Sequence, residues 1–77
     1  MKKSTKLFKI GEYSKIPSFT ITIDEDYIVL RGYNFDYQLV EMSTYGTKNL
    51  QDIEEYLLDI TAPYYADKVM QWVRGKL

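Results

Sequence analysis

The chain has 77 residues, a net charge of −1, and neither cysteine nor histidine. A chain of this length makes one small domain that buries only ~60% of the surface its unfolded form exposes. Without those two residue types, disulfide staples, thiolate or imidazole metal sites and Ser–His or Cys–His catalysis are excluded.

Taken in order, residues 1–5 read as a flexible basic terminus, with no apolar run behind Met1-Lys2-Lys3 long enough for a signal peptide or a membrane span. Residues 6–42 read as a β-meander. Its first segment, Lys6 to Ile10, puts Phe8 and Ile10 on one face and Leu7 and Lys9 on the other; lysines suit a sheet edge. Gly11 to Ser18 is a connection, since Pro17 cannot donate to a central ladder. Phe19, Ile21 and Ile23 then alternate with Thr20 and Thr22, an inward apolar face against a hydroxyl face. After a turn at Asp24-Glu25-Asp26, Ile28 and Leu30 face the core, and Tyr27, Val29 and Arg31 face away. Gly32-Tyr33-Asn34 makes a second turn. In the next run Phe35, Tyr37 and Leu39 share one face, with Val40 on the other.

Ser43 to Lys48 reads as a loop, and Asn49 as the N-cap of a helix over 49–61 with Leu50, Ile53, Leu57 and Ile60 as its apolar stripe and Tyr56 beside it. Pro63 ends that helix and opens a second over 63–75. There Tyr65, Val69, Trp72 and Val73 form the apolar face, with Leu77 a further candidate; Asp67 lies in the first turn and Arg74 and Lys76 in the last. The fold class is therefore α+β. A three- to four-stranded antiparallel meander, according to whether residues 6–10 join it, packs one face against two C-terminal helices.

Charge is unevenly spread. Residues 1–23 carry five lysines against Glu12, residues 24–67 carry ten acids against Arg31 and Lys48, and residues 68–77 add Lys68, Arg74 and Lys76. A net of +4, −8 and +3 in sequence hides inside the near-neutral total. Asp24, Glu25 and Asp26 share one turn, and Asp52, Glu55 and Asp59 share one helix face with Glu54 beside them. These acids can simply solvate the turn and suit the helix dipole, or they can form a negative surface for a basic groove on another protein. The Asp24 turn lacks the ligand spacing and glycine of a calcium loop, so no metal is expected. Of the eight tyrosines, most can rim the core, but Tyr27, Tyr33 and Tyr45 fall at turns or on the solvent face, where tyrosine anchors protein interfaces. Lys2, Lys3, Lys6 and Lys9 can guard a sheet edge or touch phosphates.

No family is identified by motif. A three-stranded sheet joined to a helix through Gly46-Thr47-Lys48-Asn49 is similar in topology, over Phe19 to Ile60, to the arm-type DNA-binding domains of some phage integrases. The net charge of −7 over these residues departs from what phosphate contact needs. In size and composition the chain also resembles the small, acidic, tyrosine-rich proteins that phages and mobile elements use against host defences, anti-CRISPR proteins among them. That resemblance implies a DNA-mimicking inhibitor working in the cytoplasm of a bacterial host.

These observations predict a non-enzymatic protein-binding module, without cofactor, whose acidic and tyrosine-rich surface blocks a basic nucleic-acid-binding site on a target protein. The expected contact residues are Asp24, Glu25, Asp26, Tyr33, Asp36, Asp52, Glu54, Glu55 and Asp59. Two alternatives stay open: a nucleic-acid-binding accessory protein that uses the basic termini, and a structural subunit of a homo-oligomer. Direct nucleic-acid contact is not the favoured reading, no membrane association is expected, and the chain is read as a monomer or homodimer.

Overall fold

The computed structural model describes residues 3–11 and 15–77; expectations that fall on Met1, Lys2, Glu12, Tyr13 and Ser14 lie outside the described residues. Four strands, β1 (Ser4–Lys9), β2 (Ser18–Ile23), β3 (Tyr27–Tyr33) and β4 (Leu39–Gly46), precede two helices, α1 (Leu50–Ile60) and α2 (Pro63–Lys76). The strands form one antiparallel sheet in the order β1-β2-β3-β4, each pairing with its neighbour in sequence. The α+β class and the one-sided sheet are as the alternation in β2 and β3 requires.

Register follows from that alternation. Ile21 pairs with Leu30, Ile23 with Ile28 and Phe19 with Gly32, so one face of the two central strands is continuous hydrocarbon. α1 covers it with Ile53, Leu57 and Ile60, and α2 with Ala66, Val69, Met70 and Val73. Phe19, Ile21, Ile28, Leu30, Ile53, Leu57, Met70 and Val73 are fully buried. Each of the larger side chains contributes roughly 2 kcal/mol of transfer free energy, set against the conformational entropy of the ordered chain. The opposite face is uncovered. It carries Leu7, Thr20, Arg31 and Met42 in one row and Thr5, Thr22, Val29 and Thr44 in the next. The Thr5 and Thr22 hydroxyls hydrogen-bond to each other at 3.0 Å.

Several expectations are corrected. Ser4 and Thr5, read as loose terminus, are part of β1, and residues 6–10 do join the sheet as far as Lys9. The last strand begins at Leu39 and runs to Gly46, so Phe35 and Tyr37 are loop residues and Ser43 to Gly46 is strand. The cause is Asn34, whose side chain draws the following residues into a tight loop, while Tyr27 to Leu30 offer the later residues a ladder. Asn49 makes no side-chain cap; its amide donates to the Gly46 carbonyl at 2.9 Å, and its side chain lies against Gly46. In α2 the buried stripe is Ala66, Val69, Met70 and Val73, with Trp72 half-buried and Tyr65 and Leu77 exposed. Small Ala66 and unbranched Met70 fit the close helix–sheet contact better than the aromatics do. Asp67 lies beyond the first turn of α2. Ala62 is extended ahead of Pro63, which opens α2, as expected of a residue before proline. Among the described residues, no helix is long and apolar enough to cross a membrane.

One close approach fixes the segment leading into β2. Ile16 is buried over Gly32, and a Cβ built on Gly32 would lie 3.0 Å from Ile16 Cγ2 and 3.1 Å from Cδ1. Glycine is required there by packing. Gly32→Ala is expected to cost about 1–3 kcal/mol through overpacking. Ile16→Ala should remove the clash, so a double-mutant cycle by urea unfolding is expected to show the pair less destabilised than the sum of the single changes.

Candidate functional site

The expected acidic contact residues occupy three places. Asp24, Glu25 and Asp26 form the β2–β3 turn, closed by the Asp24 amide donating to the Tyr27 carbonyl at 2.9 Å. Lys3 reaches Asp24 at 3.8 Å, and Lys76 lines the same cleft as Asp24 and Glu25, so the turn is partly neutralised. Asp36 lies past the far end of the seven-residue β3, about 20 Å away along the strand. Asp52, Glu55 and Asp59 are exposed on α1, while Glu54 reaches back to Arg74 of α2 at 4.0 Å. Asp59 receives Lys15 at 3.4 Å. Tyr33 is half-buried on the uncovered face, its hydroxyl 3.4 Å from that of Thr20. The structure thus brings together the helix acids and, separately, the turn acids. Tyr33 and Asp36 stand apart from both.

The most exposed apolar surface lies elsewhere, in a segment expected as strand, with Phe35, Tyr37 and Leu39 on one face and Val40 on the other. Phe35 (66% exposed), Tyr37 (60%), Leu39 (54%), Val40 (56%) and Met42 (59%) extend from the β3–β4 loop into β4, interleaved with exposed Asp36, Gln38 and Glu41. β4 is an edge strand, paired with β3 on one side only. Glu41 is its one charged residue, so it lacks the lysines that guard β1 at the other edge. α1 contacts β4; of its acids, Glu54 turns to α2 and Asp59 lies with Lys15 and Tyr65 at the end of the helix, leaving Asp52 and Glu55 exposed without an ion pair among the described residues.

The loop that begins the run is held firmly. Asn34 Oδ1 accepts the amides of Asp36 (2.9 Å) and Gln38 (3.0 Å), and its Nδ2 donates to Gln38 Oε1 at 3.0 Å. The Tyr37 amide donates to the Asn34 carbonyl at 3.0 Å, and Tyr37 has a φ of 59°, the left-handed region. A bulky residue there costs on the order of 1 kcal/mol. Such a cost, in a loop presenting two exposed rings, is a mark of binding loops. The sequence signal for this was the Asn34 to Gln38 spacing, an asparagine able to bond its own downstream amides.

Behind the edge, Tyr56 of α1 points its hydroxyl into the α1–β4 contact, where it is buried with no hydrogen-bond partner among the described residues. Burial, and next the neighbouring Glu41 carboxylate, push its pKa far above the usual phenol value. Among the described residues no group of three or more acids is placed to hold a metal ion. No family model matches the chain, and comparison with curated proteins and with solved structures finds no match.

Two predictions follow from this geometry. Because the folded chain holds the Tyr56 proton beyond the pH at which the unfolded chain releases it, this group's contribution is intact below about pH 10 and lost as pH rises above it. Tyr56→Phe is expected to leave stability at neutral pH unchanged or slightly higher and to flatten the alkaline decline, read by denaturant unfolding between about pH 8 and 11. Tyr37→Gly is expected to stabilise the fold by up to about 1 kcal/mol by relieving the left-handed backbone, read by thermal unfolding.

Proposed function

We propose that the chain is a non-enzymatic protein-binding module acting in the cytoplasm, an inhibitor that docks on a basic, nucleic-acid-binding surface of a target protein. The carrying observation is the exposed apolar run on the lysine-free β4 edge, bordered by Asp36 and Glu41, with a bulge at Val40 and with α1 packed against β4. Surface acids speed and select association but add little net affinity, because water is lost from both charges on contact. Phe35, Tyr37, Leu39, Val40 and Met42 supply what the acids lack, a desolvating centre that a partner can cover. The open ladder of β4 adds main-chain donors and acceptors for an extended segment of that partner. The partner that fits is basic around an apolar strip, with a strand or linear segment able to lie along β4.

Asp52, Glu55 and Asp59 are the acids of α1 free to steer such a partner, Asp59 being held only by one exposed lysine. The turn acids, with Lys3 and Lys76 around them, sit outside this surface.

The reading is tested by capture from nuclease-treated bacterial lysate, followed by binding kinetics with the partner recovered. Reversal of Asp52, Glu55 and Asp59 to lysine is expected to slow association by roughly tenfold or more and to weaken its salt dependence. Val40→Asp with Met42→Asp is expected to raise the dissociation rate, and wild-type protein to displace nucleic acid from the partner. If both variants bind as wild type does, at unchanged melting temperature, this surface is not the docking surface.

A further inference from the structure

The basic segments at the two ends of the sequence meet in space. β1 supplies Lys6 and Lys9 and α2 supplies Lys68 to one cleft of about 490 Å3, within the range of ligand-binding clefts. Phe8, Tyr65 and Trp72 line it with them, and no acid does. None of the three lysines forms an ion pair with a described residue. Lys6 Nζ is 5.3 Å from the centre of the Phe8 ring, and Phe8 meets Trp72 edge-on at 5.7 Å. Phe8 and Trp72 are half-buried, anchored on the core while still lining the cleft. Tyr65, expected to face the core, is exposed here instead.

The geometry points to a binding site for single-stranded nucleic acid in this cleft between β1 and α2, with Lys6 and Lys68 taking phosphates and Trp72, Phe8 and Tyr65 receiving base faces; Lys9 lines the rim, its ammonium 6.0 Å from the Tyr37 ring centre on the other face of the sheet. Cations alone would serve any polyanion. Aromatic rings in the same cleft add a surface that matches an unstacked base, the pairing of parts by which single strands are held without sequence preference. A duplex keeps its base faces inside the stack and offers these rings nothing. An acidic peptide would use the lysines and leave the rings idle. β1 and β4 are opposite edges of the sheet, and the cleft meets the docking edge proposed above only at the corner where Lys9 lies over Tyr37.

Trp72 is the only tryptophan in the chain, so its emission reports on this cleft alone. The full-length protein would be titrated with a fluorescein-labelled oligo-dT and an oligo-U of ~12 nucleotides, following Trp72 emission and probe anisotropy together. Binding is expected to quench Trp72. Its log affinity should fall against log salt with a slope of about −1.4, that of two phosphates neutralised on a single strand. Lys6→Glu and Lys68→Glu should each weaken binding by at least about threefold, while Lys48→Glu, the same charge change on the exposed β4–α1 connection, should leave it unchanged. Absence of binding at low salt overturns the proposal, as does binding that Lys6→Glu and Lys68→Glu leave intact. A hairpin duplex binding as well as the single strand, or polyglutamate displacing it with equal affinity, overturns the stacking role. If thymidine monophosphate binds as tightly as the strand, the ligand is a free nucleotide instead.

Discussion

Everything in this molecule depends on covering one face of β2 and β3. Phe19, Ile21, Ile23, Ile28 and Leu30 present a hydrocarbon surface that only α1 and α2 keep from water. A sheet of four strands is too narrow for both helices to sit centrally, so α1 lies toward β4 and α2 toward β1. That division of the covered face turns the uneven charge of the sequence into two sides of a molecule. The basic first strand and basic last helix fall together at one edge, and the acidic helix falls beside the other. Sequence distance is misleading in this case: Lys6 and Lys68 are as far apart along the chain as almost any pair, yet they share a cleft.

The core of the fold was legible because it rests on periodicity. Alternation in Phe19 to Ile23 and Tyr27 to Leu30 sets both the pairing and the inward face, and the spacing of Ile53, Leu57 and Ile60 sets the buried side of α1. What periodicity could not show was where alternation ceases to mean strand. Phe35, Asp36 and Tyr37 alternate as well as any segment, but Asn34 offers their amides a nearer acceptor than a neighbouring strand does, and the ladder starts only at Leu39. In α2 the aromatics drew the expected stripe toward Tyr65, whereas contact with the sheet selects the less bulky Ala66 and Met70.

The candidate surface was legible only in part. The shared helix face of Asp52, Glu55 and Asp59 follows from spacing alone, but the pairing of Glu54 with Arg74 and of Asp59 with Lys15 depends on how α1 sits against α2 and the segment before β2. The exposed apolar run was invisible because exposure of a hydrophobic residue is decided by what covers it. Among the described residues nothing covers β4 on its outer side, and Leu39, Val40 and Met42 there are as apolar as the Ile28 and Leu30 buried in β3. The same reason kept Gly32 from being more than a turn residue: its role is set by Ile16, a residue sixteen positions earlier that folds back over it.

The contrast between the two sheet edges bears on growth. A strand order of β1-β2-β3-β4 leaves two free ladders, and a protein with two receptive ladders can add copies of itself without limit, end to end. Here lysines at positions 6 and 9 guard one ladder, while β4 has only Glu41. On the proposed reading pairing is directed to the β4 side, and a complex built there would be capped after one addition. A sheet open on one side and guarded on the other can accept a guest strand without becoming the seed of a fibre.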